Sequence, residues 1–158
     1  MRMEPEQRRF LRKKYDARSW PRVGSRAILR KSLDIHDLEI PNARLVKMKR
    51  TDRKKGSEVE SIWQIDGDPE CLIKIEVFSC TSTDATHRHL LNLLGTIQSG
   101  DVIRETDRNR IGDVAFSLHD TLHIFTRENV VVLLRNAGRH VASIRRISER
   151  VDAFIKGE

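Results

Sequence analysis

Residues 59–80, VESIWQIDGDPECLIKIEVFSC, decide the fold. Successive side chains of a strand point to opposite faces, so Cys71, Ile73, Ile75 and Val77 share one side and Leu72, Lys74, Glu76 and Phe78 the other. The first set is apolar throughout and is expected in a core. Asp66-Gly67-Asp68-Pro69 is a strong turn signal, so 59–66 and 71–80 read as the two arms of a hairpin.

The next residues change period. Ser82, Thr83 and Asp84 offer N-cap oxygens, and Leu90, Leu93, Leu94 and Ile97 recur at helical spacing, which predicts a helix over 82–97. The same order of elements returns downstream. Val114, Phe116 and Leu118 alternate, His119-Asp120-Thr121 turns, Leu122 and Ile124 oppose His123 and Phe125, and Glu128-Asn129 turns again. Residues 130–134 are continuously apolar, as a strand covered on both faces requires. A helix over 139–156 follows, with Val141, Ile144, Ile147, Val151, Phe154 and Ile155 on one stripe and Gly157 at its C-terminal cap.

Upstream, 44–50 reads as a strand with one wet face, Leu45, Lys47 and Lys49 alternating with Val46 and Met48, and 51–57 reads as an exposed hairpin connection. Residues 33–39 are an edge strand or a turn of helix leading to Ile40-Pro41. The expected class is therefore α+β: two successive antiparallel strand-meander-plus-helix units, over 44–97 and 113–157, forming one sheet with helices packed on it. The repeat is one of pattern, since few identities survive when the two stretches are laid together. At 158 residues the chain fits one domain, 33–158, preceded by a segment of different character.

That segment is basic. Residues 1–32 hold eleven Lys or Arg against three acidic residues, a net of +8, whereas 33–158 hold nineteen against twenty, a net of −1. The formal charge of +7 thus belongs to the N-terminus. Its apolar content is too small for firm docking, and 1–32 is expected as a solvated, partly disordered tail with a short helix near Pro5. Arg8, Arg9, Arg12, Lys13 and Lys14, with Trp20 and Tyr15 as stacking aromatics, can attract phosphate; Arg53, Lys54 and Lys55 in the 44–55 hairpin can extend that field.

No apolar run reaches the length of a membrane span and no leader is visible, so the chain reads as soluble and cytoplasmic; an exported mature domain would read the same. Cys71 and Cys80 sit nine positions apart on one strand, about 30 Å at 3.3 Å per residue, too far for a disulfide. Cys80, at the mouth of a helix whose dipole lowers thiol pKa, is the best placed reactive thiol.

Other chemistry is poorly supported. His87 and His89 point about 200° apart on a helix and cannot share an ion. His119 and His123 face across a turn, and a metal there would need Asp113 as well. The eight glycines are dispersed and form no phosphate-cradling loop, so no catalytic residue, metal or cofactor is assigned. The leading expectation is a noncatalytic module binding a protein or small ligand through a sheet face or hairpin loops. The alternative is a nucleic-acid or anionic-surface binder working through 1–32 and the 44–55 hairpin. A second copy of the chain could pair at either sheet edge.

Overall fold

Seven strands hydrogen-bond in the order β1-β2-β3-β7-β6-β5-β4, every neighbouring pair antiparallel. They are β1 Ala43–Arg53, β2 Gly56–Ile65, β3 Asp68–Cys80, β4 Ile103–Arg104, β5 Val114–Leu118, β6 Leu122–Arg127 and β7 Val130–Asn136. Among the described residues three α-helices accompany the sheet in this α+β architecture: α1 Pro5–Lys14, α2 Thr83–Thr96 and α3 Ile144–Lys156. The computed structural model describes residues 3–23, 35–54, 56–97, 99–106, 108 and 110–157. The expected boundary between 32 and 33 therefore lies outside the described residues. No described helix is long and apolar enough to cross a membrane.

The strand alternation sorts the core into two layers. Cys71, Ile73, Ile75 and Val77 of β3, with Val132 and Leu134 of β7, pack against Ile144, Ile147, Val151 and Ile155 of α3. Phe78 and Cys80 at the end of β3, with Val131 and Leu133 of β7, lie on the opposite face with Leu90, Leu91 and Leu94 of α2. The run 130–134 is buried throughout because both faces of β7 are covered.

The two meander-plus-helix units differ in handedness. A two-fold axis normal to the sheet would exchange antiparallel β3 and β7 while leaving each face where it is, so it would put both helices on one face. Here α2 and α3 lie on opposite faces. The pattern recurs as connectivity, and its halves do not superpose with their helices.

The N-terminal segment departs from the expectation of a solvated tail. Leu11, Tyr15, Ala17 and Trp20 are buried in the α2-side core. The Tyr15 ring stands edge-on to Phe116 at 5.2 Å, and the Trp20 indole N–H donates to the Tyr15 carbonyl at 3.1 Å. Burying Leu- or Phe-sized side chains stabilises by about 1.5–3 kcal/mol each, so three large residues suffice to dock a short basic helix. Residues 35–37, in the stretch expected as an edge strand or helical turn, form a 3-10 turn; 33 and 34 lie outside the described residues.

Two further elements depart from their expected form. A β-bulge between Leu45 and Lys47 turns Leu45 and Met48 to the same side, where both pack on the core, and leaves Val46 exposed. The last helix starts at Ile144 instead of 139, because the preceding residues pair with β3: Ala137 N–H donates to the Leu72 carbonyl at 2.8 Å and His140 N–H to the Glu70 carbonyl at 2.9 Å. Gly138 permits this approach, since a Cβ there would lie 2.2 Å from the Glu70 carbonyl oxygen. Val141 therefore leaves the apolar stripe and is 72% exposed.

Candidate anion-binding cleft

α1 docks beside α2 with its basic side chains unspent. Arg8 and Arg12 are one helical turn apart on α1, Arg18 lies in the 3-10 turn Ala17–Ser19, Arg22 follows Pro21, and Arg88 projects from α2. These five arginines line one cleft of about 340 Å³, with Trp20, His87 and Asp84. Among the described residues none of the five has a carboxylate partner, and Asp84 is the one acidic group in the wall. The buried Nε of Arg8 has no hydrogen-bond acceptor. Guanidinium groups present planar forks of donors that match phosphate oxygens, so the wall is chemically complementary to a phosphorylated or otherwise polyanionic ligand.

The cleft is held by hydrogen bonds and a ring contact. His87 Nε2 donates to the Pro21 carbonyl at 3.0 Å, and its ring meets Trp20 edge-on at 5.5 Å. The Val23 N–H donates to Thr83 Oγ1 at 3.0 Å, tying the end of the N-terminal segment to the start of α2. Ser82 caps α2 by accepting from Ala85 N–H at 3.0 Å.

The nine residues expected to bind polyanions separate into groups. Arg8, Arg12 and Trp20 reach the cleft, but Trp20 is 4% exposed, so its ring is wall and core and offers no stacking surface. Tyr15 is buried as well. Arg9, Lys13 and Lys14 occupy the exposed part of α1. Arg53 is already spent on Glu58 at 3.1 Å, Lys54 is exposed in the hairpin turn, and Lys55 lies outside the described residues. Lys74 similarly bridges Glu60 at 3.4 Å and Glu76 at 3.0 Å on the strands beside it. Arg53 and Lys74 of the hairpin strands are thus paired with carboxylates, and the arginines of the N-terminal cleft have no such partner among the described residues. Arg18, Arg22 and Arg88 were hidden in the sequence: two by the length of the basic run, the third inside His87-Arg88-His89.

Cys80 is buried at the end of β3. Burial pushes it up and the Thr86 hydroxyl offsets this only in part, so it stays above the ordinary thiol range. It lines a cavity of about 180 Å³ with Arg53, Arg88 and His89. His89 is held down to about 4 by burial and then by Arg53, and stacks on Phe78 at 3.8 Å.

The two downstream histidines line one cavity but have different partners. His119 is exposed, 3.7 Å from Asp101, whereas His123 is buried between Ser148 Oγ at 2.7 Å and Glu105 Oε1 at 3.0 Å. Asp113 is taken by Arg127 at 3.1 Å. Burial raises Glu105, but His123, Arg145 and the Ile111 N–H together outweigh it and leave the carboxyl below its usual range. Ser148 has no exposure, so this serine, histidine and glutamate form an internal strut between β6 and α3.

Asp68, Glu70 and His140 also cluster at the surface. Both ring nitrogens of His140 face carboxylates, Nδ1 to Asp68 at 2.7 Å and Nε2 to Glu70 at 3.4 Å, and Arg139 approaches Glu70 at 3.5 Å. The group brings one imidazole and one guanidinium against two carboxylates. It borders a groove of about 760 Å³ whose lining includes Ile40, Pro41, Ile65 and Ile147. Comparison with protein-family models, with curated proteins and with solved structures finds no match.

Proposed function

We propose that this chain is a noncatalytic binding domain whose working surface is the arginine cleft, and that its ligand is a polyanion carrying phosphate groups, nucleic acid foremost. One observation carries the reading: five arginines from three segments converge on one concavity with a single acidic neighbour. Natural surfaces normally intersperse charge of both signs, as Lys74 with Glu60 and Glu76 does, and an unbalanced cleft focuses field and raises local anion concentration.

Binding should weaken steeply between about 50 and 200 mM salt, as released counterions demand. The test is fluorescence anisotropy of labelled RNA and DNA with the full chain and with an Arg12→Ala/Arg18→Ala variant. The variant should bind more weakly and show a shallower salt slope, by roughly one unit for each phosphate no longer neutralised. Equal affinity and slope in the two proteins would sink the assignment.

A second reading rests on the 760 Å³ groove beside α3, within the size range of small-molecule sites. It supports a module that takes a small, partly apolar ligand there. Obstructing the groove by Val141→Trp, at an exposed lining position, would abolish such binding and leave the arginine cleft untouched.

A further inference from the structure

The chain has eight aromatic residues, and seven are used in its cores. Tyr15, Trp20, Trp63, Phe78, Phe116 and Phe125 are buried, and Phe154 packs against the α3-side cluster. Phe10 is the exception, 64% exposed on α1. Resting on the polyanion reading above, we infer that Phe10 is a base-stacking platform for a single-stranded nucleic acid whose phosphates occupy the arginine cleft.

Placement supports this. Phe10 lies between Arg8 and Arg12 in sequence, about 200° round the helix from both, so it stands on the flank away from the cleft wall they form. Lys13 and Lys14 are its neighbours one turn on, Arg9 adjoins it, and Glu6 is the acidic residue one turn before. A strand leaving the cleft over Arg12 crosses a helix only about 10–12 Å thick before it meets that flank. There it finds further cations for its phosphates and one aromatic face for a base. Every base has a π-face, so such stacking is sequence-tolerant, and it needs unpaired bases, which selects single strands over duplex.

A membrane fits the same flank less well. Helices that lie in a bilayer interface carry a broad apolar face, whereas Phe10 is the sole exposed large apolar side chain of α1; Val46, Ile103 and Val141 lie on other elements. A concave cleft also suits a flexible polymer better than a flat surface.

The test compares full-length wild type, Phe10→Ala, Phe10→Trp and Arg12→Ala/Arg18→Ala against four probes: single-stranded RNA, single-stranded DNA, a strand of equal length with abasic positions, and anionic phosphatidylserine vesicles. Phe10→Ala should weaken binding to the base-bearing strands about 5- to 150-fold, leave the abasic strand unaffected, and be rescued by Phe10→Trp. Because Phe10 stands largely in solvent, its variants should melt as wild type does. A loss of equal size on the abasic strand, or no loss on any strand, overturns the stacking role while the cleft reading stands. An effect confined to vesicles overturns it in favour of a membrane surface. Unchanged strand binding in the arginine variant removes the cleft reading itself, whatever Phe10 does.

Discussion

Leu11 of α1 and Gly95 of α2 meet with no side chain between them: a Cβ placed on Gly95 would lie 3.0 Å from Leu11 Cδ1 and 2.8 Å from Met3 Cε. This close approach brings α1 against the C-terminal part of α2. Both neighbouring atoms end flexible side chains, so Gly95→Ala needs only a small shift and gains up to about 1 kcal/mol of helix propensity. The alanine variant should melt at or slightly above the wild-type temperature. Gly95→Leu has no room and should cost about 1–3 kcal/mol through overpacking, borne mainly by α1. Hydrogen exchange would show faster exchange of α1 amides in the leucine variant, with anion affinity falling alongside; unchanged protection would mean that α1 docks independently of Gly95.

Stability should depend on pH in two separable windows. The folded-state value of about 4 for His89 lies below its ordinary 6.5, so the unfolded chain binds the proton first and stability falls as pH drops from 6.5 towards 4. The full loss is on the order of 3 kcal/mol. Arg53 and Arg88 share its cavity and remain charged across this range, while Glu58, there too, is raised chiefly by burial. Glu105 is depressed below 4.5, so its contribution is present above that value and is lost on further acidification. Urea midpoints measured against pH should show His89→Gln abolishing the decline between 6.5 and 4.5 and Glu105→Gln flattening the one below it. An unaltered upper window in His89→Gln would mean that His89 titrates normally in the folded protein.

The sheet was legible because its signal is local. The alternation in β3, the apolar run of β7, the leucine stripe of α2 and the glycine at 157 each report a face or an end without reference to a partner. What escaped depends on contacts distant in sequence. Leu11, Tyr15 and Trp20 look sparse until Phe116 and α2 supply the opposite wall. Residues 139–143 look helical until β3 claims the backbone of His140. For the site, charge pointed to the right segment but could not say which cations are neutralised: Arg53 has Glu58, and Arg8 has no such partner among the described residues. The choice of aromatic was inverted for the same reason, since exposure of Phe10 and burial of Trp20 are both set by how α1 docks.

Both cysteines should be silent to thiol reagents in the native protein. Cys71 is raised by burial and then by Asp68 and Asp66, and Cys80 by burial, so neither supplies thiolate near neutral pH, and both are sterically covered. Labelling should count two thiols in denaturant and essentially none before unfolding. Rapid modification of Cys80 in folded protein would restore it as a reactive group.

The end of α3 is fastened by Asp152, which accepts from Arg127 Nε at 2.8 Å and Nη2 at 2.9 Å, and from the Gly112 N–H at 3.1 Å. Arg127 also reaches Asp113 at 3.1 Å, whose other oxygen accepts from the Glu128 N–H at 2.6 Å. One carboxylate thus joins α3, the end of β6 and the loop before β5. That loop is itself constrained, since Gly112 adopts φ of 79° and a Cβ there would lie 2.3 Å from the Thr126 carbonyl oxygen. Removing one member of such a largely buried pair leaves the other desolvated, so Asp152→Ala should cost about 3–5 kcal/mol. Adding Arg127→Met to Asp152→Leu removes the guanidinium but leaves Asp113 only the Glu128 N–H, so the double change should cost less than the sum of the two single changes. A double-mutant cycle in urea decides the matter. A single-variant cost below about 1 kcal/mol would place the pair with solvent-screened surface bridges and shift the anchoring of α3 to its apolar stripe.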